Sequence, residues 1–244
     1  MKIYVGTSGF GHKEWKGKFY PEKISPKEML SYYGQRLGAV EINNTFYHMP
    51  TAHVLSAWAA QVPPDFVFAF KAPQIITHLK RLRNVFEEAE YLFQALSVLE
   101  RKLGPVLFQF PKSFRLDRQA LADFLALVPA HIPCACEFRH FSWCDESVLD
   151  LLRTNGCSLC IADTDEDRAT EIVSTATWGY LRLRRSDYGE EDLAKWLKKI
   201  RAQKWRRAFV FFKHEEEGKG VEMAIHFSEL AASGGKDARS VETD

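Results

Sequence analysis

The 244-residue chain is 46% hydrophobic and 27% charged, which supplies a sizeable core and excludes disorder along most of its length. Its 33 basic and 32 acidic residues nearly cancel, so no overall field directs it to nucleic acid or a membrane, and any basic site has to be local. No apolar run can span a bilayer, the N-terminal run MKIYVGTSGF is too short for a signal peptide's apolar region, and five cysteines without a secretion signal read as reduced thiols. The expectation is a cytoplasmic protein.

In chain order, β-branched and aromatic runs predict strands at KIYVGTS (2–8), AVEIN (39–43), FVFAFKA (66–72) and GPVLFQF (104–110). Four more follow at PCACEFR (133–139), SLCIAD (158–163), WGYLRLR (178–184) and RAFVFFKH (207–214). Amphipathic segments at 85–103, 118–128, 146–156 and 190–203 carry apolar residues at i, i+3, i+4 and predict helices between them. Gly104-Pro105, Ile132-Pro133 and Asn155-Gly156 close helices before strands. Strand alternating with helix through short links forces parallel pairing, and eight such units close into a (β/α)8 TIM-type barrel, with an open doubly wound sheet as the alternative. The barrel is expected as a single domain over residues 1–230, followed by a disordered tail at 231–244.

Such barrels carry their chemistry at the carboxyl ends of the strands. Those ends offer Thr7-Ser8, Glu41 and Asn43, Lys71, Gln109, Glu137 and Arg139, Asp163, Arg182 and Arg184, and Lys213-His214. Glu41 and Glu137 leave strongly apolar runs, so each needs a cation or donors nearby, and Lys71, Arg139 and Arg182 are available. Side chains alternate along a strand, so Glu137 and Arg139 face the same way, into the mouth. An internal ion pair that only closes the barrel is the competing interpretation. Trp143, in the following loop, reads as a stacking surface or a lid anchor.

At these residues the sequence resembles the YecE-like proteins, the family called domain of unknown function 72. The resemblance is carried by GTSGF (6–10), WKGKFYP (15–21), VEINNTFYHMP (40–50), FAFKAPQIITH (68–78), LGPVLFQFPKSF (103–114), EFRHFSW (137–143) and YLRLR (180–184). It implies an eight-stranded α/β barrel and no settled reaction; an analogy of fold connects these barrels with zinc-dependent endonucleases of the endonuclease IV type. Three departures from the family pattern are expected to make the mouth more basic: Phe10 where Trp is favoured, Arg184-Arg185 for His-Gly, and FKHEEEG (212–218) for an Asn-rich end.

Three chemistries compete for these residues. A zinc nuclease would need Glu41, Glu137 and Asp163 to converge with His78, His140 or His214, a thin ligand set, so no metal and no cofactor is expected. A glycosidase would use Glu41 and Glu137 as its carboxylate pair, with Phe46, Tyr47 and Trp143 as sugar platforms. Lys71, Arg139 and Arg182 around the same mouth favour an anionic ligand. Cys134, Cys136, Cys157 and Cys160 fall on adjacent strands, where a zinc or redox site is the alternative, and read as packing thiols, with Cys136 pointing away from Glu137. GTSGFG (6–11) lacks the Lys-Ser/Thr of a phosphate loop.

The reading is a mouth that binds a phosphate-bearing ligand or nucleic acid, as a phosphodiester or other hydrolase. Glu41, Glu137 and Asp163 are the catalytic candidates; Asn43, Tyr47, Lys71, His78, Gln109, Arg139, Trp143 and Arg182 are the binding candidates. A glycosidase and a non-catalytic nucleic-acid or nucleotide-binding protein remain alternatives. Oligomeric state is not legible.

Overall fold

In a computed structural model of the chain, residues 1–169, 171–213 and 218–233 are described. Eight strands close a barrel in chain order: β1 (Lys2–Ser8), β2 (Ala39–Ile42), β3 (Val67–Lys71), β4 (Leu103–Gln109), β5 (Cys134–Glu137), β6 (Ser158–Asp163), β7 (Trp178–Leu183) and β8 (Arg207–Phe212). All neighbouring pairs are parallel, and β8 closes on β1 with Lys2 opposite Arg207 and Thr7 opposite Phe212. The closed ladder replaces the doubly wound alternative. Outside it lie α1 (Met29–Gly34), α2 (Ala52–Gln61), α3 (Phe86–Ser97), α4 (Arg118–Leu125), α5 (Glu146–Thr154), α6 (Glu190–Arg201) and α7 (Lys219–Ser233).

The two-residue period of the strands divides the core. Val40, Phe68, Phe70, Val106 and Phe108 point outward and pack with the helices. Their alternates point inward, where Ala39, Ala69 and Ala135 leave room that Tyr4, Trp178 and Phe209 fill from the other side. Tyr4 and Phe209 stack at 5.0 Å, and Trp178 meets Phe209 edge-on. The amino-terminal half of the barrel is thus a packed aromatic plug, which leaves the carboxyl-terminal end for polar groups.

Helix starts follow local chemistry. Asp117 accepts from Ala120 N at 3.0 Å to cap α4, and Asp145 accepts from Ser147 N at 2.8 Å to cap α5. The helix predicted over 85–103 ends at Ser97, because the chain turns through Glu100, at φ 48°, into β4. One predicted alternation is not met: between β6 and β7 the described residues of 164–177 form no helix. Thr175 substitutes, accepting from Leu159 N at 2.8 Å and donating to Cys157 O at 2.7 Å. At the C-terminus α7 continues through Ser233, three residues beyond the expected end of the domain, and the rest of the expected tail lies outside the described residues. No helix among the described residues is long and apolar enough to cross a membrane.

A tyrosine from α1 is built into the barrel wall. The Tyr33 hydroxyl donates to Ala39 O on β2 at 2.9 Å and accepts from Thr7 N on β1 at 2.8 Å. Gly6 lies beside this contact, and a Cβ there would stand 1.9 Å from Ala39 O. Tyr33→Phe is expected to strand the buried Thr7 N–H and cost about 1–3 kcal/mol, read as a lower urea midpoint; a midpoint equal to that of the wild type would show that the hydroxyl is dispensable.

Candidate functional site

Six strands each send one inward side chain into the mouth: Ser8, Glu41, Lys71, Gln109, Glu137 and Arg182. Arg182 is fully buried and sits between the two glutamates, donating from Nη1 to Glu137 Oε2 at 2.7 Å and from Nη2 to Glu41 Oε1 at 2.9 Å. Glu41 also accepts from Ser8 Oγ at 2.8 Å, Asn43 Nδ2 at 3.1 Å and the Tyr180 hydroxyl at 2.7 Å. Glu137 accepts from Gln109 Nε2 at 2.6 Å and Arg139 Nε at 3.0 Å. Two carboxylates on opposite sides of the barrel are therefore held by one shared guanidinium and, besides the Cys160 thiol, five further donors.

The electrostatics follow from this arrangement. Burial pushes the Glu137 carboxyl up, but Arg182, Arg139 and Gln109 overcome it and bring it to about 2. Glu41 is likewise lowered, with burial opposed by Arg182, Tyr180, Arg184 and Ser8. Lys71 is brought down to about 8, first by burial and then by Arg182, with the glutamates pulling the other way. Its ammonium stands 4.0 Å from the centre of the Phe46 ring. His78, carried on a single π-helical turn (Ile75–Leu79), is lowered by burial and by the charges of Lys71, Arg139 and Arg81; it meets Phe46 edge-on and its Nδ1 is 2.8 Å from Thr77 Oγ1.

Two clefts open from the network. One, of about 420 Å³, is lined by the aromatic residues Phe46, Tyr47 and Trp58 and by the basic residues Lys71, Arg182 and Arg184. Arg182 Nε and Asn43 Oδ1, on residues of this cleft, are buried without a hydrogen-bond partner among the described residues. The second cleft, of about 780 Å³, has Lys112, Arg139, Arg184 and Lys213 facing an acidic loop of Asp165, Glu166 and Asp167.

Most of the sequence candidates meet here: Glu41, Asn43, Lys71, Gln109, Glu137, Arg139 and Arg182 form one cluster, with Tyr47, 67% exposed, at its rim and His78 behind Phe46. Asp163 does not join them. It follows inward-facing Ala162 by one residue and so points outward, where Tyr188 donates to it at 2.7 Å and Trp196 of α6 at 3.3 Å. It anchors α6 and its preceding loop, outside the mouth cluster.

Trp143 is also corrected. It is buried, stacks on Phe138 at 4.5 Å and donates to Phe114 O at 2.7 Å, so it fastens the loop after β5 and offers no face to a ligand. His214 lies outside the described residues. Sequence reasoning placed Ser8 and Arg184 at strand ends without carrying them to the site, and left out Tyr180. Parity alone could have found two of them, since Tyr180 and Arg184 share a face with Arg182.

A closed eight-stranded parallel barrel with its polar residues gathered at the carboxyl ends of the strands is a (β/α)8 barrel of TIM type. The family model described as "Protein of unknown function DUF72" matches residues 4–243, and the chain belongs to that family. It is 27% identical over 229 residues to the UPF0759 protein YunF of Bacillus subtilis (strain 168), covering 88% of this chain and 79% of that protein. The UPF0759 protein YecE of Escherichia coli (strain K12) is 29% identical over 139 residues, 57% of this chain and 48% of that one. Among solved structures, a DUF72 family protein from Thermotoga maritima superposes with a TM-score of 0.84 at 27% identity, covering 95% of this chain and all of that one. A DUF72 family protein from Enterococcus faecalis gives 0.77 at 20% identity over 94% of this chain and 95% of its own, a likeness of fold.

Replacing Arg182 by Met is expected to destabilise the fold by about 3–5 kcal/mol at neutral pH, because buried Glu41 loses its cation and buried Glu137 keeps only Arg139. The wild-type Glu137 pKa lies below its unfolded value of about 4.3, so its contribution is complete above that pH and lost as pH falls toward about 2. In the variant the carboxylates titrate upward instead, so the deficit should shrink on acidification. Urea midpoints of both proteins at about pH 7 and about pH 4 measure this; a deficit unchanged between the two would contradict the ionic account.

Proposed function

We propose that the mouth binds a phosphate-bearing ligand with an aromatic part, a nucleotide or a single strand of nucleic acid. The observation that carries this reading is that Arg182 engages both buried carboxylates, while Lys71 and Arg184 make no ion pair with a described residue and face the same aromatic-walled cleft. Phosphate would meet Lys71, Arg184 and the unpartnered Arg182 Nε, and a base would stack on the exposed Tyr47 beside Phe46. The acidic loop of the larger cleft disfavours a polyanion running across it, which makes the smaller cleft the binding groove.

The network also argues about catalysis. A glycosidase needs one protonated carboxylic acid near neutral pH, and both glutamates here are held ionised, with Glu137 at about 2. Their role in this reading is to hold Arg182. If the bound ligand is a phosphodiester that is also hydrolysed, the groups biased toward their neutral, proton-accepting forms are Lys71 and His78. We also infer a reducing, cytoplasmic compartment, supported by five cysteines that are all unpaired.

The test is fluorescence titration of a short single-stranded oligonucleotide over a salt series, with a neutral oligosaccharide as control. Lys71→Ala and Arg184→Ala should each weaken binding and flatten the log-log salt slope by about 0.7 for each phosphate no longer neutralised. Wild-type affinity should also fall as pH rises beyond about 8, where Lys71 loses its proton, and Lys71→Ala should lose that dependence. Binding of the sugar alone, or salt slopes unmoved by either substitution, would reject the proposal.

A further inference from the structure

On the opposite face of β5 from Glu137, three cysteines meet. Cys134 and Cys136 point outward from the strand, and Cys157 stands beside them just before β6. Their sulfur atoms all lie within 4.8 Å of one another, with Cys136 Sγ and Cys157 Sγ 3.6 Å apart. Zinc–sulfur bonds of about 2.3 Å in a tetrahedral site set neighbouring sulfurs about 3.8 Å apart, so the three already stand near ligand spacing. The fold also explains why the sequence pattern read as packing: the second cysteine of the CxxC at 157–160 projects into the barrel, with Cys160 Sγ 3.9 Å from Glu137 Oε2. That leaves a mixed set from two strands with no recognisable spacing.

The surroundings fit an ion. A cleft of about 470 Å³ opens at the amino-terminal end of the barrel, far from the mouth, and both Cys134 and Cys157 wall it together with His131, Asn155 and Arg207. Burial raises the Cys134 thiol, but hydrogen bonds from Cys136 and Cys157 outweigh it and bring that thiol down. Cys136 is pushed up mainly through its bond to Cys134, and Cys157 mainly by burial. The cluster is therefore three buried thiols near ligand spacing beside a cleft, an arrangement that a bound cation would convert to thiolates.

We propose that Cys134, Cys136 and Cys157 bind one divalent thiophilic ion of the Zn²⁺ class, with a fourth coordination position turned toward the cleft. Three S–H bonds break and three metal–sulfur bonds form, the three protons leave to solvent, and nothing is oxidised or reduced. A dication leaves a single residual negative charge, which Arg207 on the cleft wall helps to offset; a monovalent ion would leave two in a buried site. The site shares no residue with the phosphate cleft, so the two proposals stand or fall separately.

The experiment uses the reduced full-length chain with Zn²⁺, in competition with a chromogenic chelator, and with Cd²⁺ as a spectroscopic substitute. One ion per chain should bind, with proton release and a sulfur-to-cadmium charge-transfer band of the intensity of three Cd–S bonds. Cys157→Ala should lower Zn²⁺ affinity by at least the roughly 10- to 100-fold that loss of even an outer partner costs, and shrink the cadmium band by a third. Cys144→Ala, which alters the exposed thiol, should change neither. Should Cys157→Ala fail to fold, the band intensity and proton count of the wild type decide alone. Absence of stoichiometric uptake by reduced wild type, full affinity in folded Cys157→Ala, or a cadmium band of fewer than three sulfurs would overturn the site.

Discussion

One guanidinium between two carboxylates organises this barrel. Arg182 on β7 spans to Glu41 on β2 and Glu137 on β5, so a single side chain ties together strands that are not neighbours in the ladder. Desolvating three ions is expensive, and an apolar trio of the same volume would hold the strands as well or better. Packing therefore does not account for the charges. Their effect lies in the mouth: Arg182 is engaged by both glutamates, and burial, aided by the positive charges gathered there, drives the Lys71 amine and the His78 imidazole toward their neutral forms.

The two halves of the barrel interior answer different demands. Below, alanines on β2, β3 and β5 admit large rings from β1, β7 and β8, and the plug is almost wholly apolar. Above, the same strands deliver polar groups, and the buried carboxylates among them are met by donors from several directions. Tyr180 joins the two layers: its ring packs against Phe211 while its hydroxyl donates to Glu41. The orientation of Glu41, and through it of Arg182, is thus fixed from the aromatic plug.

Much of this was legible in the sequence because the strand period is short and unforgiving. Once AVEI, FVFAFK and CACE are read as strands, Glu41, Lys71 and Glu137 have to face inward, and the structure has them there. The same arithmetic failed at Asp163 only because proximity to a strand end was used in place of parity: Ala162 takes the inward position and Asp163 the outward one. Trp143 misled for a different reason. A tryptophan after a strand is equally suited to a ligand or to a loop, and only the ring of Phe138 stacked on it and the carbonyl of Phe114 on its indole decide the matter. That the described residues between β6 and β7 form no helix was hidden because Thr175 satisfies backbone groups there through its hydroxyl, a local solution that periodicity does not register.

Arg184 walls both clefts of the mouth at once. One charged side chain cannot give its full set of donors to two occupants, so two ligands that both engaged Arg184 would alter each other's affinity by the same factor. The loop of Asp165, Glu166 and Asp167 lines the second of these clefts, so an acidic wall and an aromatic wall meet at one guanidinium that pairs with no described carboxylate.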